Sequence, residues 1–326
     1  MDEPKLKVGL TNLVEGFLFS ITADGRSVRT HEYYQKCLKH LLVYAQDQDW
    51  PDNASLIDTA KIRQFLAWIG VRSYDYHAGY NSLRRVKPKP STVWSYYKSV
   101  RRLFNWAVNE GLLARSPVWP IRFKAPPPGP IQPYSEDELN KLISVCDCDI
   151  KSGARFTGIR NKAIIMLFLD SGLRLHEMVR LCLGDLNMDE KHVRVVGKGN
   201  QVEFCPFSST TAKIIWLYLQ EREKVAKSSA LWVQETGHPF KLEGLGAWFV
   251  RLKSRAGIHS PGRIHRLRHT AALQYLRGAR DSFLLQLFMR HKDLAMSRRY
   301  TQGLKYEEAI AAHRNGASPV ERLGLR

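Results

Sequence analysis

Ten residues, Lys124-Ala-Pro-Pro-Pro-Gly-Pro-Ile-Gln-Pro133, constrain this chain more than any other stretch. Proline locks φ and carries no N–H, so five prolines and a glycine in ten positions cannot continue a helix or a central strand. The stretch reads as an extended linker. The 326-residue chain then divides into a piece over 1–123, the linker over 124–133, a second piece over 134–304, and a tail over 305–326. Both pieces are long enough to bury their own core.

The first piece reads as helices. Tyr34, Leu38, Leu41, Leu42, Tyr44 and Ala45 recur at helical spacing over 28–46, and Ile57, Ile62, Phe65, Leu66 and Ile69 do so over 55–71. A polar, basic loop is expected from Arg72 to Pro90. Ser91 reads as the N-cap of a helix through Asn109, stopped by Gly111. That helix gathers Trp94, Tyr97, Val100, Leu103, Phe104 and Ala107 towards one face and Lys98, Arg101 and Arg102 on the other. A bundle of four or five helices with a basic side is the simplest sum. The apolar run from Leu10 to Ile21 contains Glu15 and is too short to span a bilayer.

The second piece opens on Ser135-Glu-Asp-Glu138, a capping-box pattern, with a helix ending near Val145. Helices are expected over 160–170 and, after Ser171-Gly172, over 174–183. Val193-Arg-Val-Val196 and Val202-Glu-Phe204 flank Gly197-Lys-Gly-Asn200 and read as a β-hairpin. Further helices follow over 210–226, 242–256, 265–277 and 282–289. A short helix signal, Glu307 to His313, lies in the tail. The fold class is mainly α (α+β): a helical bundle, then a mostly helical domain with a small antiparallel sheet.

Composition narrows the function. Lys plus Arg number 50 against 31 Asp plus Glu, a formal charge of +19. That excess fits a polyanionic partner, and without a spanning segment nucleic acid is the better reading than a membrane. Lys98, Arg101 and Arg102 are the natural phosphate contacts. Cys37, Cys146, Cys148, Cys182 and Cys205 form no disulfide framework, and Cys146-Asp-Cys148 alone lacks the four ligands zinc needs. The protein reads as cytoplasmic. No G-x-x-x-x-G-K-S/T, G-x-G-x-x-G or H-E-x-x-H motif is present, and no acidic cluster suits paired magnesium ions. No cofactor and no metal are expected. Any phosphoryl chemistry then needs cationic side chains around the phosphate and a side chain as nucleophile.

The second piece offers such a set. Arg174 follows the Ser171-Gly172 break, with Glu177 three residues on. Lys198 sits in the hairpin turn. His265-Arg-Leu-Arg268-His-Thr270 opens a helix, His291 ends one, and Tyr300 comes nine residues later. Taken singly, each is an ordinary surface cation, partly buried histidine or packing tyrosine; order and spacing make them a set.

In that order (R, K, H-x-x-R, H, Y) the chain resembles the tyrosine recombinase, or phage integrase, family. The carriers are Gly172-Leu-Arg174-x-x-Glu177, Lys198 in a strand turn, His265-x-x-Arg268-His-Thr270, and His291 before Tyr300. The pattern spans about 30–310, the helical first piece being similar to the family's core-binding domain. Met289-Arg290-His291 stands where the family often has Leu-Gly-His, and Leu175-His176 replaces a small polar pair. The resemblance implies a site-specific recombinase that cuts and rejoins double-stranded DNA through a covalent 3′-phosphotyrosyl intermediate. Tyr300 would be the nucleophile, Arg174 and Arg268 the phosphate clamp, and Lys198 the general acid. His265 would be a base or phosphate donor, His291 a phosphate donor, and Glu177 and His269 supports. It also implies a homo-oligomer, a tetramer when two duplexes are paired, with the tail beyond Lys305 docking on a neighbouring protomer. A DNA-binding regulator on the same fold, or a topoisomerase-like strand relaxer, would share much of the pattern.

Overall fold

The computed structural model describes residues 8–77, 83–127, 129, 131–197 and 201–301. Two compact units divide the chain, Met1–Pro128 and Gly129–Arg326.

The first unit is a four-helix bundle: α1 (Leu10–Ala23), α2 (Val28–Asp47), α3 (Thr59–Val71) and α4 (Pro90–Asn109). Its core follows the helical repeat. Leu13, Val14 and Phe17 of α1 meet Leu38 and Leu41 of α2, Ile62 and Phe65 of α3, and Val100, Leu103 and Phe104 of α4. The apolar run at Leu10–Ile21 is thus the inner stripe of a bundle helix. No helix of the described residues is long and apolar enough to cross a membrane.

Three expectations here need correction. The basic loop over 72–90 contains two strands, β1 (Tyr74–His77) and β2 (Leu83–Val86), paired antiparallel with Tyr74 opposite Val86; aromatic Tyr74 and Tyr76 carry strand propensity among the charges. The helix expected from Ser55 begins at Thr59, because Asp58 accepts the Lys61 N–H and caps it there. The cap of α4 is Lys89 rather than Ser91, with Pro90 in the first turn, where its missing N–H costs no hydrogen bond. On α4, Lys98, Arg101 and Arg102 are exposed opposite the buried stripe.

The second unit holds α5 (Glu136–Lys151), α6 (Arg155–Ser171), α7 (Leu175–Arg180), β3 (Leu186–Asn187), β4 (His192–Val196), β5 (Val202–Pro206), α8 (Ser209–Glu223), α9 (Leu242–Arg255), α10 (His265–Ala279), α11 (Ser282–Met289) and α12 (Leu294–Thr301). Helix α6 is its spine, with Ala163, Ile164, Ile165, Leu167 and Phe168 fully buried. Helix α5 starts at the expected Ser135–Glu138 capping box but runs past Val145 to Lys151. It lies so close to α6 that a Cβ on Gly158 would stand 2.6 Å from the Cys146 carbonyl. The helix after Gly172 stops at Arg180, short of Leu183, because Leu181 turns to accept the Leu231 N–H and Cys182 bridges Ala230. The sheet is antiparallel, ordered β3-β4-β5, with Val196 opposite Val202 beside the turn. All five cysteines are free; burial pushes the Cys146 thiol up to about 12 and Cys205 up to about 11. A smaller apolar cluster of Ala272, Leu276, Leu285 and Met289 surrounds Tyr300.

Candidate active site

The site grows out of the end of α6. Gly172 caps that helix in the left-handed region, φ 56°, which an L side chain enters only at a cost. The reversed chain turns the Gly172 carbonyl towards α10, where Arg268 Nη1 donates to it; Arg268 Nη2 donates to the Met289 carbonyl at 2.7 Å. These two bonds pin a guanidinium that is 3% exposed. Burial first, then the charges of Arg174 and Arg290, bring its pKa down to about 10, which leaves it cationic at neutral pH.

Arg174 is the N-cap residue of α7. Its backbone N–H donates to Glu177 Oε2 at 2.8 Å and its Nη1 to Glu177 Oε1 at 2.7 Å, while Nη2 donates to the Arg290 carbonyl at 3.0 Å. Its side chain keeps 29% of its surface, against 3% for Glu177. Burial alone would raise the Glu177 pKa. Arg290 and the donors of Arg174 outweigh it and hold the carboxyl at about 2.

Tyr300 is carried on α12, a helix the sequence did not suggest; Asp293 caps it by accepting the Met296 N–H at 3.0 Å. The Tyr300 phenol lies 2.9 Å from His269 Nδ1. Its ring is stacked on His291, centroids 6.0 Å apart and planes at 17°. His291 Nδ1 in turn lies 2.9 Å from Ser297 Oγ. Burial, then the charges of Arg268, Arg174 and Arg290, push the His291 pKa down to about 4. His265, one turn before His269 on α10, packs its ring edge-on against it at 4.9 Å. His265 is an exposed residue, and partial burial followed by Arg268 and Arg174 lowers its pKa too. Both pKa values are thus lowered by burial and by a site already rich in positive charge, and His291, at about 4, is neutral at pH 7.

Of the residues singled out in the sequence, Arg174, Glu177, His265, Arg268, His269, His291 and Tyr300 meet in this one cluster. The imidazole on the phenol is that of His269 rather than His265. Lys198 and the tail with Glu307 to His313 lie outside the described residues. Lys98, Arg101 and Arg102 belong to the other unit. The sequence reading gave no role to Arg290, Glu203 or Ser297: Arg290 Nη2 donates to Glu177, Glu203 Oε2 stands 3.3 Å from Arg290 Nε as an ion pair, and Ser297 meets His291. Arg290 had a signal, since it stands beside His291 where a helix stops. Among the described residues no group of three or more His, Cys, Asp or Glu could hold a metal ion.

The model of the phage integrase family matches residues 134–307, more than half of the chain. The chain belongs to that family, the tyrosine recombinases. Among its relatives, tyrosine recombinase XerD of Listeria monocytogenes is 23% identical over 302 residues, covering 91% of this chain and 95% of that protein. Tyrosine recombinase XerC of Mycobacterium bovis is 25% identical over 288 residues, covering 85% and 89%. Solved tyrosine recombinases share the fold. The XerH site-specific recombinase in a post-cleavage complex with palindromic difH substrate superposes with a TM-score of 0.73 at 18% identity, covering 96% of this chain and 99% of that one. The Tn1549 transposon integrase bound to transposon right-end DNA gives 0.72 at 15%, covering 95% and 100%.

Proposed function

We propose that this tyrosine recombinase cuts and rejoins DNA strands at a specific site through a covalent 3′-phosphotyrosyl bond made by Tyr300. The observation that carries the reading is the hydrogen-bonded, ring-stacked position of Tyr300 between His269 and His291. That position lies within electrostatic reach of Arg174 and Arg268, whose charges depress the His291 pKa.

Attack of the phenol oxygen on phosphorus forms the Tyr300–phosphate bond and breaks the bond to the 5′ oxygen. Negative charge builds on the non-bridging oxygens. A guanidinium has five N–H donors and never loses its charge near neutral pH. Arg268 spends donors on two carbonyls and keeps the rest for the phosphate; Arg174 has the more exposed head and is the natural second arm of the clamp. Such fixed positive charge is where most of the rate enhancement is expected to arise.

The phenol must give up its proton, and an unperturbed tyrosine does so only near pH 10. His269 Nδ1 is positioned to take it when Nε2 carries the ring proton. His265 and His291, whose pKa values burial and the site's charges lower in the free protein, can bind a proton or donate an N–H as negative charge builds on the phosphate in the transition state. The departing 5′ oxygen needs a proton in return, and Lys198, which the sequence puts between the residues of β4 and β5, is assigned that task. One phosphodiester is exchanged for another, so bond energy is kept and the step runs backwards with a different 5′ hydroxyl, which is what strand exchange requires.

Several features frame the partner. DNA is the bound substrate in the complexes of XerH and of the Tn1549 integrase, and the charge of +19 suits the same polyanion here. The unit over 1–123, with Lys98, Arg101 and Arg102 exposed on α4, is proposed as a DNA-binding domain and the unit over 134–304 as the catalytic domain. A tetramer on two duplexes, with residues after Lys305 reaching a neighbouring protomer, completes the proposal. Truncation after Lys305 is expected to weaken pairing of sites while leaving single-site binding intact.

A nicked duplex carrying the target site tests the reading, because the short 5′ fragment diffuses away and traps the intermediate. A protein–DNA adduct that is lost in Tyr300→Phe is expected. Absence of adduct on any cognate site would move the protein to the regulator class. Relaxed plasmid without recombinants between two sites would make it a strand relaxer.

A further inference from the structure

The turn after α11 holds a third guanidinium in this site. Arg290 has a left-handed backbone, φ 52°, a conformation that favours glycine. Backbone alone does not single it out, since Arg280 ends α10 in the same way, φ 53°, with its side chain exposed. What separates the two is burial. The Arg290 side chain is 5% exposed and wedged between two carboxylates: Nη2 lies 2.7 Å from Glu177 Oε2 and Nε 3.3 Å from Glu203 Oε2. A guanidinium turned inward onto two acids is a poor phosphate ligand. Its action must pass through the groups it holds.

Those groups belong to different parts of the site. Glu177 is the carboxylate that fixes Arg174, and the Arg290 carbonyl accepts from the same arginine. Glu203 is on β5, opposite Val195, on the strand face that also buries Cys205. Its Oε2 lies 3.3 Å from where a Cβ on Gly197 would stand, and the Gly197 N–H closes the hairpin turn onto the Gln201 carbonyl at 2.8 Å. Gly197 immediately precedes Lys198.

We propose that Arg290 is a positioning residue that ties the root of the β4–β5 turn to the Arg174–Glu177 pair. One buried cation thereby sets the phosphate-binding arginine and Gly197, the residue before Lys198 in the sequence, relative to each other. Nη2 donates to Glu177, while Nε has no aligned hydrogen-bond partner and holds Glu203 by charge alone, two contacts spread over one rigid planar group that a lysine ammonium lacks. Without the cation, Glu177 keeps Arg174 as its partner while Glu203 loses this counter-charge, and the strand carrying Glu203 is the one free to move away. The tie itself is a property of the free protein; its catalytic consequence rests on the strand-transfer reading above.

The experiment has two arms, both on the full chain. In the first, hydrogen exchange is compared for wild type, Arg290→Gly, Arg290→Lys, Glu203→Gln and the Arg290→Gly/Glu203→Gln pair. Glycine suits the backbone here, so a general collapse is not built into the test. Amides of β4 and β5 are expected to exchange about tenfold faster in Arg290→Gly and in Glu203→Gln, no faster in the pair than in either alone, and only partly slowed in Arg290→Lys, while α5 and α8 keep wild-type rates. Unchanged hairpin exchange, uniform acceleration across the second unit, or effects that multiply in the pair would each overturn the tie.

The second arm uses nicked duplexes carrying the site recovered from the DNA joined to Tyr300, with either oxygen or sulfur at the 5′ leaving position. Sulfur departs without a proton. Arg290→Gly is expected to cut the oxygen substrate at least about tenfold more slowly and the sulfur substrate within about twofold of wild type. Equal losses on both would show that Arg290 does not act through the lysine turn. Lys198→Ala is run beside it: if that variant also loses equally on both substrates, it is the general-acid assignment that fails, and the exchange arm still decides whether Arg290 holds the turn.

Discussion

Glu177→Gln isolates the electrostatic logic of the site in one isosteric change. The carboxylate receives the Arg174 backbone N–H at 2.8 Å, Arg174 Nη1 at 2.7 Å and Arg290 Nη2 at 2.7 Å. Its pKa falls from the ordinary 4.5 to about 2, which at ~1.4 kcal/mol per tenfold corresponds to about 3 kcal/mol of stabilisation of the ionised folded state. Removing one partner of a buried ion pair costs about the same, 3–5 kcal/mol, because the other charge is stranded. Glutamine is therefore expected to destabilise the second unit by about 3 kcal/mol at pH 7, a fall in Tm of roughly 6–12 °C for a unit of this size. The pH dependence supplies the sign. A carboxyl with a lowered folded pKa contributes fully above its unfolded value and loses that contribution as pH falls towards the folded one. The gap between wild type and variant should thus be complete at pH 6 and less than about half by pH 3. Calorimetry, with hydrogen exchange of α6 amides to assign the transition to this unit, reads both quantities. A gap under about 1 kcal/mol at pH 7, or one that stays constant down to pH 3, would refute the reasoning.

Other expectations follow from the same geometry. Gly172→Ala places an L side chain at φ 56° with its Cβ 3.1 Å from Met289 Sδ; a loss of about 1–2 kcal/mol in urea titration is expected, with slower cleavage because the Gly172 carbonyl anchors Arg268. His291 has its pKa held at about 4, so the unfolded chain takes up a proton near pH 6.5 that the folded one refuses. Stability should fall between about pH 6.5 and 4, and His291→Asn should flatten that limb of the profile by up to about 3 kcal/mol. Lys98→Ala, Arg101→Ala and Arg102→Ala should each lower the salt slope of binding to an arbitrary DNA duplex by about 1, measured by fluorescence anisotropy across a salt series.

The sequence was most legible where a physical pattern was long or local. The stripe of α2, the apolar run of α6, the Ser135–Glu138 box and the paired strands β4 and β5 all announced themselves, and α11 begins and ends where its Asp281 cap and apolar run say it should. The catalytic-type residues were found because their order along the chain resembles a known one; the contacts among them were not legible. That His269 rather than His265 meets the phenol depends on how α12 packs against α10, and α12 has only Asp293 as a start signal. The ribbon of β1 and β2 was hidden because each strand is only four residues long and Tyr74 and Tyr76 stand among charged and polar neighbours. Arg290 was noted only as a departure from glycine, since nothing local shows that a cation after a helix end will be buried against carboxylates from α7 and β5.

The central claim is that Tyr300 becomes joined to DNA. Covalent complexes trapped by rapid denaturation of the protein on its target DNA, digested with nuclease and protease and weighed by mass spectrometry, test it most directly. The account predicts a peptide containing Tyr300 with a nucleotide attached through its 3′ phosphate, and none from Tyr300→Phe. An adduct on another residue, or one that survives in Tyr300→Phe, would contradict it.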